Sequence, residues 1–312
     1  MEIYKSLKLD LNFKTVVTIG TFDGVHIGHR KIIERLVQTA KKSQLHSVVL
    51  TFFPHPRMVL QKDANIKLIN TIEERSRILE QLGLDVLVIK KFTKEFSRLT
   101  AEAFVSEILV KQLQVKKIII GYDHHFGRNR AANIDDLKAF GNMYDFEVEE
   151  ISAQDINEVS VSSTKIRKAL NSGDLKTANK YLGANYILSG KVVKGKGLGN
   201  TLGFPTANIH IKESYKLIPK HGVYIVKATI KTQTVFGMMN IGTNPTIDSN
   251  NQQSIEVHFF NFNEAIYNKN LVIELLDRIR DEKKFDSLDH LKNQLQKDRQ
   301  TALQYIEQCH AQ

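Results

Sequence analysis

The chain has 312 residues, 42% hydrophobic and 25% charged, which suits about two globular domains and excludes extensive disorder. Its 44 Lys and Arg against 34 Asp and Glu give a net charge of +10. That excess is spread over both halves without a basic tail, so anionic small molecules account for the sign as well as nucleic acid does.

The first 150 residues alternate short apolar runs with helical patterns. Strands are predicted at 14–20, 47–53, 85–90, 116–121 and 145–150, and helices at 27–43, 71–82, 101–113 and 133–142. This alternation implies a parallel sheet with crossover helices. Directly after Val16-Val17 the chain reads Thr18-Ile19-Gly20-Thr21-Phe22-Asp23-Gly24-Val25-His26-Ile27-Gly28-His29. Strand, glycine turn and helix start converge backbone amides, the positive helix end and two imidazoles on one point, which suits an anion. His26 and His29, at i and i+3, face the same way. They fit stabilisation of charge building on a phosphate, although a pair of surface histidines beside a glycine turn would read the same. Pro54 and Pro56 stop the strand before them.

A compact helical stretch spans 162–182 and ends at Gly183, a helix C-terminal signal, which sets the domain boundary at 183–184. Within it, Ser163, Thr164 and Arg167 provide cap hydroxyls and a bidentate phosphate donor. An ordinary N-cap with a surface arginine is the alternative.

From Tyr186 the texture becomes all-β, with alternating runs at 186–193, 222–230, 234–240, 254–261 and 271–276, as in a small closed barrel. Gly195, Gly197 and Gly199 form a glycine-rich segment that is neither a P-loop nor a Rossmann turn, and a flexible linker would look alike. Thr206 and Asn208 alternate onto one strand face, where their oxygens suit Mg²⁺ shared with nucleotide phosphates. Ile255, Val257 and Phe259 take one face of a strand, Glu256 and His258 the other. Most such glutamates are solvated, but in a barrel mouth a carboxylate can take a proton from a substrate hydroxyl. An amphipathic helix at 287–308 closes the chain, with Leu288, Leu291, Leu295, Ala302, Leu303 and Ile306 near one stripe.

Cys309, the single cysteine, excludes an internal disulfide. With no N-terminal apolar segment and no apolar run near the roughly 18 residues of a membrane span, the expected setting is a reducing cytoplasm, without membrane or nucleic-acid partners. The absence of Cys pairs and of H-E-x-x-H speaks against zinc.

At this point the chain resembles the bacterial bifunctional riboflavin kinase/FMN adenylyltransferase family, also called FAD synthetase. T-F-D-G-V-H-I-G-H at 21–29, T-F-F-P-H-P at 51–56, G-Y-D-H-H-F-G at 121–127 and V-S-S-T-K-I-R at 161–167 resemble the adenylyltransferase half. G-x-x-L-G-F-P-T-A-N at 199–208, N-I-G-x-x-P-T at 240–246, I-E-V-H at 255–258 and I-R-D-E-K-K-F at 279–285 resemble the kinase half. The resemblance implies a Rossmann-like nucleotidyltransferase domain with a parallel sheet over residues 1–183 and a riboflavin kinase-like β-barrel over 184–312. It implies ATP-dependent phosphorylation of riboflavin to FMN in the barrel, then adenylylation of FMN to FAD with release of pyrophosphate in the α/β domain.

For the adenylyl step the resemblance implies His26, His29 and Arg167 as catalytic residues and Gly20, Thr21, Phe22, Asp23, Gly28, Ser163 and Thr164 on ATP. Asp123 and Phe126 would lie near the flavin or nucleotide, and Arg280 near the flavin. In the barrel Glu256 would be the general base, with Gly195, Gly197, Gly199, Thr206 and Asn208 on ATP and the last two on Mg²⁺. Asn200 and Asn244 stand where the family has arginines, which places kinase efficiency in question, and Asn268 stands where glycine is usual. A class I aminoacyl-tRNA synthetase relative shares H-I-G-H but needs a K-M-S-K-S that this chain lacks. An adenylyltransferase for another nucleotide and a flavin- or RNA-binding regulator are the remaining alternatives.

Overall fold

The computed structural model describes residues 1–6, 11–61, 65–121, 125–152, 161–195, 199, 202–244 and 252–310, and divides into two compact units, Met1–Ser163 and Thr164–Gln312. The first unit holds a six-stranded, all-parallel sheet. In chain order it contains β1 (Glu2–Tyr4), β2 (Thr15–Ile19), α1 (Ile27–Ser43), β3 (His46–Phe53), α2 (Pro56–Leu60), α3 (Ile72–Gln81) and β4 (Val86–Lys91). Next come α4 (Ala101–Ala103), which runs on as a π-helix (Phe104–Gln112), then β5 (Val115–Gly121), α5 (Ile134–Tyr144) and β6 (Glu147–Ile151). The five predicted strands and four predicted helices are all there. β1 is an addition, too short at three residues to show a period in sequence.

Every residue of β2 is buried, because helices cover both faces of the sheet. Val17 and Ile19 point into one apolar cluster with Val48, Phe104 and Ile118, whereas Val16 points into the other with Ile33, Leu36 and Leu87. The strand order is β1-β4-β3-β2-β5-β6. From β2 the chain turns to β3 and β4 on one side, then crosses back to β5 and β6 on the other. The sheet therefore changes winding direction between β2 and β5, and open α/β sheets bind ligands beyond the carboxyl ends of the strands at such a point. The Gly20–His29 turn leaves β2 there.

The second unit comprises α6 (Ser163–Ser172, its first residue still assigned to the first unit), α7 (Leu175–Leu182), β7 (Tyr186–Val193), β8 (Ala207–His210), β9 (Gly222–Ile230), β10 (Gln233–Asn244), β11 (Gln252–Phe259), β12 (Asn270–Arg280) and α8 (Leu288–His310). Its strands close into a barrel in the order β10-β11-β8-β7-β12-β9. α7 belongs to this unit because the Asn179 side chain donates to the Leu275 carbonyl of β12 at 3.0 Å and accepts from the Tyr186 N–H of β7 at 2.8 Å. The compact division thus falls at 163–164, ahead of the boundary at Gly183 read from the sequence. Asn268 has φ +64°, which suits an asparagine in place of the usual glycine.

Ala302 of α8 joins the core cluster of Phe204, Val223, Ile225 and Met238, with Leu295, Leu303 and Ile306 packed against it. Leu288 departs from the predicted stripe and is 58% exposed at the first turn of the helix. Asp298, a charged residue on the packing side, is buried instead and takes a bidentate contact from Arg280, with Nε at 2.9 and 3.0 Å and Nη2 at 2.7 Å.

Candidate active sites

In the first unit the turn after β2 is built around backbone that few side chains tolerate. Phe22 has φ +47° and Val25 φ +38°. Positive φ at a β-branched residue is strained, and such strain gathers where a site needs one geometry. Gly20 lies close under the Phe22 ring: a Cβ there would meet it at 3.0 Å, and the ring would have to give by a few tenths of an ångström. That ring is buried and stands edge-on to His29 at 5.0 Å.

His26 caps α1, its Nδ1 accepting the His29 N–H at 3.3 Å. With Nδ1 used as an acceptor, the neutral ring carries its proton on Nε2 and presents it as a donor. The two imidazoles stack with centroids 3.6 Å apart and planes 16° apart, so the i, i+3 prediction of a shared direction is met. Nδ1 of His29 is buried and has no hydrogen-bond partner among the described residues. The first turn of α1 contains no acidic residue, so no carboxylate within the helix itself opposes its positive end.

Burial pushes His26 down from 6.5 to about 4, against the pull of the Asp23 carboxylate. Burial also pushes His29 well down, helped by His26 and by the Arg75 guanidinium. Both rings are therefore neutral near pH 7 and act as hydrogen-bond donors rather than as fixed cations. In the unfolded chain each titrates near 6.5. Below that pH the unfolded state binds more protons than the folded one, so stability is lost as pH falls from about 6.5 toward about 4. The urea midpoint of the parallel-sheet unit should accordingly be lower at pH 5 than at pH 7, with a flatter dependence in His26→Gln. Equal slopes for the two proteins would refute this.

Asp23, expected from the resemblance to lie on the nucleotide, anchors the loop through its side chain. Its buried carboxylate accepts the N–H groups of Ile69 and Asn70 at 3.1 and 3.2 Å and lies 3.6 Å from Arg75 Nη2. Arg75, 1% exposed on α3, also donates to Thr51 Oγ1 at 3.3 Å, and Thr51 donates to the Thr21 carbonyl at 3.2 Å. The Ser163 hydroxyl donates to the Asp23 carbonyl at 2.8 Å. The structure thus brings together Gly20, Thr21, Phe22, Asp23, His26, Gly28, His29 and Ser163. Thr164 and Arg167 lie on α6 in the second unit.

Phe126 is 7% exposed and packs against Phe104 in the core of the first unit. Asp123 lies outside the described residues. A charged cleft of about 420 Å³ lies between Lys31, Arg35 and Gln38 of α1 and Glu149, Glu150 and Ile151 of β6. It contains none of the sequence-predicted residues.

In the barrel a second group converges. Ile255, Val257 and Phe259 of β11 are buried and Glu256 and His258 are half-buried, as the alternation predicts. Glu256 pairs in register with Asn208 of β8 on one side and Asn240 of β10 on the other. Thr206 Oγ1 donates to Glu256 Oε2 at 3.4 Å. Gly195 lies against the Asn208 side chain, and a Cβ there would come within 2.0 Å of Asn208 Nδ2, so that the amide would have to move. Gly199 O accepts from Leu202 N at 3.2 Å and Phe204 N at 2.9 Å, which ties Gly199 to the residues just before Thr206.

Beside Thr206 is a pocket of about 210 Å³, lined in part by Val192, Val257, Phe259, Ile266 and Tyr267. Gly197 and Asn200 lie outside the described residues; Asn244 ends β10. The Arg280 guanidinium is held by Asp298 and by the Asp281 carbonyl, which Nη1 contacts at 2.9 Å.

Arg75 and Asp298 are not marked in the sequence. Each sits in a run of charged residues that reads as a solvated helix face, so no local signal marks it.

The FAD synthetase family profile matches residues 9–165 and the riboflavin kinase profile matches residues 182–306. The bifunctional riboflavin kinase/FMN adenylyltransferase of Bacillus subtilis (strain 168) is 39% identical over 302 residues, 94% of this chain and 93% of that protein. The protein of the same name from Escherichia coli (strain K12) is 36% identical over 292 residues, 93% and 92% of the two chains. A crystal structure described as a macrolide-efflux protein from Streptococcus pneumoniae aligns with a TM-score of 0.86 at 34% identity, covering 96% of this chain and 97% of that one. Among the described residues no helix is long and apolar enough to cross a membrane, and the efflux in that description is left with that protein.

Proposed function

The chain belongs to the bifunctional riboflavin kinase/FMN adenylyltransferase family, and on that premise we propose how its two sites divide the work. The enzyme phosphorylates riboflavin to FMN in the barrel and joins FMN to AMP in the α/β unit, giving FAD and pyrophosphate. The observation that carries the division of sites is the convergence of Thr206, Asn208 and Glu256 in one unit and of the stacked His26 and His29 in the other.

In the kinase step Glu256 accepts the proton of the ribityl 5′-hydroxyl. The freed oxygen attacks the γ-phosphorus of ATP, and the bond to ADP breaks. Glu256 suits this role because its neighbours in register, Asn208 and Asn240, are uncharged. The apolar pocket beside Thr206 would take the nucleoside of ATP. The donor set fits Mg²⁺ shared with phosphates: the oxygens are hard, and no cluster of three or more His, Cys, Asp or Glu among the described residues forms an all-protein cage. Thr206 and Asn208 would hold the ion, which when bound neutralises phosphate charge. Arg280, fixed by Asp298, would border the flavin.

In the adenylyl step an FMN phosphate oxygen attacks the α-phosphorus of ATP and pyrophosphate leaves, with no proton to be removed. His26 and His29 donate to the oxygens on which charge builds, and the α1 amides add to the same field. Gly20 and Gly28 would let the backbone approach ATP, and Ser163, Thr164 and Arg167 would hold the outgoing phosphates. Asp123 and Phe126 would lie near the flavin. A cytoplasmic setting without nucleic-acid or membrane partners completes the proposal, supported by the single cysteine and the evenly spread charge.

The test is chromatography of products over time from riboflavin, ATP and Mg²⁺. FMN should rise first and FAD follow. Supplied FMN that yields no FAD would overturn the adenylyltransferase assignment.

A further inference from the structure

β8 and β11 share two register pairs, Asn208 with Glu256 and Ala207 with Val257. Backbone pairing therefore stops one residue short of Thr206. A side chain makes the next attachment: Nδ1 of His258 lies 2.9 Å from the Pro205 carbonyl oxygen. A carbonyl only accepts, so this ring nitrogen carries the proton. The same ring stands edge-on to Phe204 at 5.2 Å and to Phe260 at 5.7 Å. Phe204 in turn donates its N–H to Gly199 at 2.9 Å.

We propose that His258 is a positioning residue of the kinase, its Nδ1–H and ring edges fixing Phe204 and Pro205 so that the Thr206 hydroxyl is held against Glu256 and at the Mg-ATP site. Glu256 and His258 lie two residues apart on the same face of β11, so one rigid strand carries both the proposed base and the fastening of its partner. Burial pushes the His258 imidazole down, against the pull of the Pro205 carbonyl. This tends to keep the ring neutral, with Nε2 unprotonated. The proposal rests on the assignment of riboflavin phosphorylation to the barrel.

Three proteins test it. His258→Phe keeps a ring between Phe204 and Phe260 but has no donor for Pro205. His258→Asn restores an N–H close to the position of Nδ1. From the net worth of one hydrogen bond, His258→Phe should raise KM for Mg-ATP about three- to tenfold. KM for riboflavin and the rate of FAD formation from supplied FMN should stay at their wild-type values, and His258→Asn should recover most of the loss. An unchanged KM for Mg-ATP, an equal rise in both KM values, or no recovery with asparagine would each overturn the proposal.

The imidazole nitrogen chemical shifts of the wild-type chain provide a measurement independent of the variants' folding. The Nδ1–H tautomer is expected, and the Nε2–H tautomer would overturn the contact with Pro205. If wild-type protein left riboflavin unphosphorylated, the assignment of the barrel would fail, while the tautomer would still report on the fastening.

Discussion

Riboflavin phosphorylation by a Glu256→Gln enzyme should fall by about 10²–10⁴-fold, the usual contribution of a positioned base, while FMN adenylylation keeps its wild-type rate. The substitution isolates basicity from shape. Glutamine has the same length as glutamate, its amide oxygen can still accept from Thr206 Oγ1, and β11 keeps Ile255 and Val257 in the core. What disappears is the capacity to take a proton. The measurement is steady-state kinetics of the two steps assayed separately, riboflavin to FMN and supplied FMN to FAD. A loss smaller than threefold would remove Glu256 from the role of base. A parallel loss of FAD formation would point to unfolding instead.

The converse holds for His29→Ala, which should lower FAD formation by about 10²–10³-fold, the effect of losing one donor aimed at developing charge, and leave riboflavin phosphorylation intact. The ring is stacked on His26 at 3.6 Å and lies 5.0 Å from Phe22, so its removal also opens space in the turn. His29→Asn separates the two effects by restoring an N–H donor within a smaller side chain, and part of the activity should return. The thermal midpoint of each variant shows whether the turn still folds. If His29→Ala makes FAD at the wild-type rate, the stacked pair is structural and the adenylyl site needs another source of charge stabilisation.

Much of this site was legible from local chemistry. An apolar run followed by Gly20-Thr21-Phe22-Asp23-Gly24-Val25-His26 requires a strand, a tight turn and a helix start in that order, and two histidines at i and i+3 must share a face. Alternation alone put Glu256 and His258 opposite Ile255, Val257 and Phe259. Such features depend on neighbours a few residues apart, which is the range over which period and backbone preference act. The change from mixed to all-β texture at Tyr186 is visible for the same reason.

Other features depend on residues far apart in the chain. The sequence contains nothing that makes Asp23 accept from Ile69 and Asn70, or buries Arg75 beside it, because those contacts form only once α3 packs under the turn. Asp298 looks like a solvated charge until β12 brings Arg280 to it. The helical stretch carries an intrinsic stop at Gly183, yet from Thr164 on it clusters with the barrel, where Asn179 of α7 finds its partners on β7 and β12. Period and turn chemistry determined which elements form and which faces they bury. The strand order β1-β4-β3-β2-β5-β6, the position of the turn at its switch point and the partners of each buried charge were decided by tertiary packing, since burying a charge is tolerated only where a distant group arrives to meet it.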